Sequence, residues 1–306
     1  MEKNQVKFTV SIGIPAYNEE ANIGYLLKDL LVQKEEGYTL EKIYVYSDGS
    51  TDATESIVSS AQDERVELIV GAGRKGCSQG QNTIMEMTQS DCLVLLDADI
   101  RINSTEFISR LVLPIFKKQA DLSSASVIPL PARGFFESIL VTSTLLKNIL
   151  FESYKNGNNV YTCSGRARAL SQRFYKQFKF PKSAGEDAHS FLACISRVYV
   201  YQYVRGAVLY YRLPSNFADH KKQSTRFFKS KNNFGSVFGE SFVYRNMKIP
   251  GAVYLRAFIK ALPLILRNPV MVGVYLFFVV FLRIQAFFGR VVSETWEISV
   301  SSKNLQ

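Results

Sequence analysis

Leu93-Val94-Leu95-Leu96 runs straight into Asp97-Ala98-Asp99. Two carboxylates one residue apart repel each other unless they share a cation. Hard oxygen ligands suit Mg2+ or Mn2+, above all where a phosphate completes the coordination shell. The competing reading is a strand that ends in a solvated Asp-x-Asp turn. Three more polar clusters have the same setting. Ala16-Tyr17-Asn18-Glu19 follows one apolar run, Ser47-Asp48-Gly49-Ser50 a second, and Arg74-Lys75-Gly76 lies in the loop after a third. A carboxylate at Asp48 can accept from a base N–H, Tyr17 can pack on the base, and Lys75 can neutralise phosphate. Taken singly, Asn18 and Asp52 serve as helix caps, Gly49 as a turn and Lys75 as a solvated loop charge. Brought to one edge, the clusters suit a nucleotide diphosphate.

The elements between the clusters set whether they meet. A fully apolar run such as 93–96 reads as a strand buried on both faces. Phe8 to Ile14, closed by Pro15, Ile43 to Tyr46, and Val66 to Val70 are the other strands of this first half. Helical spacing runs over 19–32, with Asn18, Glu19 and Glu20 at its start, and again over 53–61 and 79–87. Strand and helix alternating at this short spacing predict a mainly parallel sheet wound with helices. In such a sheet all four strands deliver their polar ends to one edge, where ligands bind. Beyond Asp99 the sequence predicts a helix over 105–116, a strand over 122–128, a break at Pro129 and Pro131, and a long helix over 135–154. Short strands and turns fill 160–211.

The 306 residues carry a net charge of +10, which calls for an anionic partner. Four cysteines without CxxC spacing and no secretory signal in the first ten residues read as thiols in a reducing compartment, with the working end facing the cytosol. Two histidines exclude a multi-histidine metal site. The last quarter differs in character. Between His220 and Ala261 nine Lys and Arg residues face Glu240 alone, and 269–282 is free of charge. Fourteen apolar residues fall short of the roughly 20 needed for a clear span. With flanking arginines snorkelling, the segment can cross once or lie on the surface. Val253 to Leu266, with Arg256 and Lys260, reads as an interfacial amphipathic helix. Core packing in a soluble domain is the alternative. Positive charge clustered beside an apolar segment points to a membrane surface and not to nucleic acid. The expected division is a catalytic domain over 1–230 and a basic, apolar, membrane-associated tail over 231–306.

The order and spacing of the four clusters resemble a family 2 glycosyltransferase with the GT-A fold, over roughly residues 8–230, and among these the membrane-associated, inverting, ceramide-glucosyltransferase-like members. The resemblance implies that Ala16, Tyr17, Glu19 and Asp48 line the nucleotide base site. It makes Asp97 and Asp99 the pair that holds Mn2+ or Mg2+ on the donor diphosphate, with Lys75 close by. Gly185-Glu186-Asp187 resembles the family's (E/G)-E-D motif, which implies Asp187 as the base that takes the acceptor's proton, beside Glu186. Gln223-Ser224-Thr225-Arg226-Phe227 resembles the QxxRW motif with Phe in place of Trp, and implies Gln223 and Arg226 on the diphosphate or the acceptor. His220 is a candidate third metal ligand. The implied activity is inverting transfer of one sugar from a nucleotide sugar, UDP by default, to a hydroxyl acceptor such as a lipid or lipid-linked glycan. Too few spanning helices are present for a polymer channel. Two alternatives stand beside it: a polyprenyl-phosphate glycosyltransferase, and a non-catalytic subunit that binds nucleotide sugar for a partner.

Overall fold

The computed structural model describes residues 8–181, 185–221, 223, 234–277, 302, 303 and 305. Seven strands form one sheet in the order β3-β2-β1-β4-β6-β5-β7. They are β1 (Thr9–Ala16), β2 (Thr39–Ser47), β3 (Val66–Val70), β4 (Cys92–Leu96), β5 (Leu122–Pro129), β6 (Ala167–Ser171) and β7 (Tyr201–Tyr211). The first four pair in parallel, as do β5 and β7, while β6 runs antiparallel between β4 and β5. Helices α1 (Ile23–Leu31), α2 (Thr54–Ser59), α3 (Cys77–Met87), α4 (Phe107–Phe116), α5 (Phe135–Ser153), α6 (Gln172–Tyr175) and α7 (Glu186–Ser196) alternate with the strands. The expected mainly parallel sheet wound with helices is present.

Side-chain alternation along the strands makes two cores, because successive residues face opposite sides of a sheet. Val94 and Leu96 of β4 pack with Ile12, Ile14 and α1 and α4 residues such as Leu26 and Ile108. Leu93 and Leu95 face the other way, onto Ile84 of α3 and Phe191 and Leu192 of α7. All five residues of β4 are buried. This central strand is therefore fixed on both faces before its chain emerges at Asp97.

Two boundaries differ from the sequence reading for identifiable reasons. β1 continues through Pro15 to Ala16. Alternate residues of a parallel strand bond to the same neighbour, and Ala16 accepts from Asp48 on the β2 side. The missing N–H of Pro15 thus faces the β4 side, where pairing has ended at Gly13 and Leu95. The region read as short strands and turns holds an 11-residue helix, α7, and an 11-residue strand, β7. A register irregularity opposite Ala125 and Ser126 interrupts the β5–β7 ladder and breaks the pattern of β7.

In the last quarter, α8 (Phe234–Phe238), α9 (Glu240–Met247) and α10 (Gly251–Arg267) are described, and residues 269–277 are also helical. The expected domain boundary at 230 and residues 278–282 of the 269–282 segment lie outside the described residues. α10 packs on α5 through Val253, Ala257 and Ala261, spaced four apart on one stripe. Its other face leaves Leu255, Phe258 and Ile259 more than half exposed. Among the described residues one helical stretch is long and apolar enough to cross a membrane, Glu240–Arg267, with mean hydropathy 1.5. It lies upstream of the segment expected from sequence and is interrupted at 248–250.

Candidate active site

The parallel strands β3, β2, β1 and β4 end side by side, and their loops are tied to one another. Asp48 donates its N–H to the Ala16 carbonyl and Gly71 donates to Ser47, each at 2.9 Å. The Asp48 carboxylate, 5% exposed, accepts from the N–H groups of Lys75 at 2.7 Å and Gly76 at 2.8 Å. In this structure it holds the 71–76 loop, and the Lys75 side chain stands exposed. Gly49 has φ +74°, and a Cβ there would meet the backbone of Gly73 and Arg74 at 3.1–3.2 Å. Only glycine lets the two loops approach this closely. The Arg74 guanidinium lies 4.2 Å from the centre of the Tyr17 ring, a cation–π contact that joins the first and third loops.

The β1–α1 loop departs from the expected helix start. α1 begins only at Ile23, while Asn18 adopts φ +51° and accepts from the Thr51 N–H at 2.8 Å. Asp52 is not the N-cap of α2, which is Ala53; it stands one residue earlier and accepts from the Thr54 N–H at 3.0 Å. Glu19 is turned inward, where it accepts from Asn22 Nδ2 at 3.0 Å and pairs with Lys303 at 2.7 Å. Burial first, and then the negative charge of Asp99, push its carboxyl up to about 7, against the pull of Lys303.

At the end of β4, Asp97 donates its N–H to the Arg166 carbonyl at 3.0 Å. The antiparallel course of β6 makes this contact, since Leu96 pairs with Ala167. Burial and the neighbouring Asp99 charge push Asp97 up to about 6, with Arg166 and Arg168 opposing and Glu186 adding to the rise. Arg168 is 0% exposed and donates through Nη1 to the Glu186 carbonyl and to Ser190 Oγ, both at 2.9 Å. Its Nε and Nη2, and Nε of Arg166, have no hydrogen-bond partner among the described residues. Arg166 stacks on the Tyr211 ring at 3.8 Å.

The first turn of α7 faces this cluster. Gly185 precedes it with φ +100°. Glu186 accepts from Ser78 Oγ at 2.9 Å, tying α7 to α3. Asp187 accepts from its neighbour Ala188 at 2.8 Å. Burial holds its carboxyl above the usual range, against that N–H and the charge of Arg168. Since Arg166 and Arg168 act on both Asp97 and Asp187, the two carboxylates belong to one electrostatic centre.

The glycosyl transferase family 2 model matches residues 11–178 of this chain, more than half its length. The chain belongs to glycosyl transferase family 2. A relative in the same family, undecaprenyl-phosphate 4-deoxy-4-formamido-L-arabinose transferase of Shewanella sediminis, is 34% identical over 115 residues, 37% of this chain. The chain spans about a third (34%) of the length of that relative. Among solved structures, a mannosyltransferase from Pyrobaculum calidifontis in complex with GDP-Man and Mn2+ superposes with a TM-score of 0.59 at 17% identity, covering 92% of this chain and 76% of that one. Glucosyl-3-phosphoglycerate synthase from Mycobacterium tuberculosis, solved with Mn2+ and UDP, gives 0.56 at 20% identity, covering 76% and 80%. S. aureus TarS 1–349 gives 0.54 at 18% identity, covering 82% and 78%. These neighbours establish the GT-A fold for this family 2 chain.

The other residues singled out from sequence are placed unevenly. Gln223 donates to Ser302 Oγ at 3.4 Å. Arg226 and Phe227 lie outside the described residues. His220 sits edge-on to Phe136 of α5, and its imidazole is pulled down by burial and by Lys147. Among the described residues no three His, Cys, Asp or Glu side chains gather as a ready metal site. Sequence reasoning missed Arg166, Arg168 and Lys303; it singled out the Arg74-Lys75-Gly76 cluster but not the contact of Arg74 with Tyr17. The alternation Arg166-Ala167-Arg168 was a usable signal for the first two, as it puts both guanidinium groups on one face of a strand.

Proposed function

We propose that this family 2 glycosyltransferase moves a single sugar from a nucleotide sugar, with UDP as the default nucleotide, to a hydroxyl of a lipid or lipid-linked glycan at a membrane. The carrying observation is the shared centre at the end of β4 and the start of α7, where Asp97 and Asp187 lie in the field of the same two arginines, Arg166 and Arg168. Ala16, Tyr17, Glu19 and Asp48 would serve the base side of the edge, and the exposed Lys75 would supply positive charge for the phosphates. Asp97 and Asp99 fit a hard divalent cation, since the Asp99 charge burdens Asp97 and the pair follows the end of β4. Mn2+ or Mg2+, when bound, supplies neutralising charge to the departing diphosphate. The solved neighbours that carry Mn2+ support that choice.

Asp187 accepts the proton of the acceptor hydroxyl as its oxygen bonds to the anomeric carbon. The bond from that carbon to the diphosphate breaks on the opposite face, and the configuration inverts. A carboxylate made more basic by burial is a better proton acceptor at neutral pH. Glu186, Gln223 and Arg226 serve the acceptor and diphosphate side. The membrane reading is supported by the exposed apolar face of α10, flanked by Arg256, Lys260 and Arg267. In this reading 1–230 is the catalytic domain, facing the cytosol, and 231–306 the membrane-associated part.

A second reading takes a polyprenyl phosphate as acceptor and is favoured by the name of the Shewanella sediminis relative. A phosphate is already ionised and leaves Asp187 without a proton to remove. The test is a panel of nucleotide sugars incubated with the purified chain, Mn2+ and a total lipid extract. The expected result is consumption of one donor and a lipid heavier by one sugar. Absence of metal-dependent consumption of any donor refutes the proposal.

A further inference from the structure

We propose that Lys303 is a positioning residue of the nucleotide-sugar site, and that Ser302, Lys303 and Leu305 act as a strap holding the base-side loop in its binding shape. The inference rests on the donor-site reading given above and extends it to a residue 286 positions from Tyr17. An ammonium group has three protons to donate. Lys303 spends all three on this loop: on the Tyr17 carbonyl at 2.6 Å, the Asn18 carbonyl at 2.8 Å and Glu19 Oε1 at 2.7 Å. Among the described residues no other donor reaches these three acceptors. The backbone of Lys303 is held as well, because Asn22 Nδ2, beside the start of α1, donates to its carbonyl. Ser302 and Leu305 on either side are buried at 4% and 8% exposure, and Gln223 donates to Ser302.

The commitment of the ammonium decides its role. With no proton left over, Lys303 does not contact a phosphate; it fixes the groups that meet the base. Asn18 sits at a positive φ, a conformation that costs a non-glycine residue unless its surroundings hold it. Its side chain is tied to Thr51 and its carbonyl to Lys303, so the turn is held from two sides. The turn in turn sets the Tyr17 ring against Arg74 and points Glu19 inward. Without Lys303, two part-buried carbonyls and a buried carboxylate oxygen lose their donor, and the turn they belong to loses one of its two ties. Gln223 gives the strap a second anchor from the segment that resembled an acceptor motif. The same strap therefore touches both the donor loop and that segment.

The test uses the full chain as wild type, Lys303→Met, which keeps the aliphatic stem, and Lys303→Arg, which keeps the charge. Backbone hydrogen exchange over 17–22 is measured without ligand, binding of UDP and of GDP with Mn2+, and KM and kcat for the donor. The inference expects faster exchange over 17–22 in Lys303→Met and nucleotide binding weakened at least tenfold. It expects a raised donor KM with kcat within threefold of wild type, and partial recovery of binding in Lys303→Arg. Unchanged exchange, unchanged nucleotide affinity, or tighter binding in Lys303→Met overturns it; the last would mean that the strap occupies the base site. A wild-type chain that binds neither nucleotide removes the donor-site reading and this inference together. Binding by wild type that Lys303→Met matches removes this inference alone.

Discussion

Replacing Arg168 with Met should disable the centre more severely than any single carboxylate change outside it. Arg168 is 0% exposed, donates to Glu186 and Ser190, and opposes the rise in both Asp97 and Asp187. Each hydrogen bond from a charged donor contributes about 1.5–3 kcal/mol. Removing one partner from a buried ionic group costs about 3–5 kcal/mol, because the remaining charges stay buried and uncompensated. The total loss should therefore lie near 4 kcal/mol, read as a lowered midpoint in urea with an unchanged slope. Activity should fall further than stability. Glu186 and Asp187 form the first turn of α7, and a misplacement of about 1 Å costs on the order of 100-fold in rate. The pH profile carries the diagnostic sign. Asp187 works deprotonated, and Arg168 holds its carboxyl down against burial. Without the arginine the acid limb of the rate should move to higher pH. Arg168→Lys keeps the charge but loses the planar fork, and should fall between the two. A folded Arg168→Met protein with turnover within threefold of wild type and an unmoved acid limb would refute the reasoning.

Other outcomes follow from the same geometry. Glu19 at about 7 and Asp97 at about 6 both lie above their ordinary values of 4.5 and 3.8. A raised folded-state value means stability that is full below the ordinary value and lost as pH rises through the folded one. Metal-free protein should thus weaken between about pH 4 and about pH 7, with a Glu19 share of ~3 kcal/mol. Thermal melts should show Mn2+ flattening the slope and Glu19→Gln reducing it; a slope identical in all three would count against the carboxylate cluster. On α10, Leu255→Glu with Phe258→Glu should cut binding to anionic phospholipid vesicles at least tenfold in a sedimentation assay, since burying each apolar side chain is worth about 1.5–3 kcal/mol. Unchanged sedimentation would place the membrane contact elsewhere.

The first half of the fold was legible because its signals are local. β4 is an apolar run that ends in two carboxylates, and a strand buried on both faces has no other simple sequence pattern. The same holds for the polar clusters that close β1 and β2, so the family and the parallel sheet could be read from spacing. Asp48 was legible as a site residue, but its bonds to Lys75 and Gly76 were not, because the turn that returns the third loop depends on Gly49 and Gly76 at positive φ. The arginines were hidden for a topological reason. β6 enters the sheet between β4 and β5 from much later in the chain, and nothing in residues 97–99 announces the partner that arrives at 166. Lys303 had no signal at all: a single lysine in a polar stretch becomes meaningful only when three acceptors converge on it. β7 was misread because Arg205 and Gly206 interrupt its alternation at the ladder irregularity.

The central claim is a division of labour between two carboxylate sites, and one comparison tests it directly. Wild type, Asp99→Ala and Asp187→Asn are assayed with Mn2+ for nucleotide binding and for transfer to lipid. The account predicts that Asp99→Ala loses metal-dependent nucleotide binding. Asp187→Asn should bind nucleotide as wild type does and lose transfer by about 100-fold or more, the range for removal of a general base. Near-normal transfer by Asp187→Asn would contradict the account and assign the acceptor to a group already ionised.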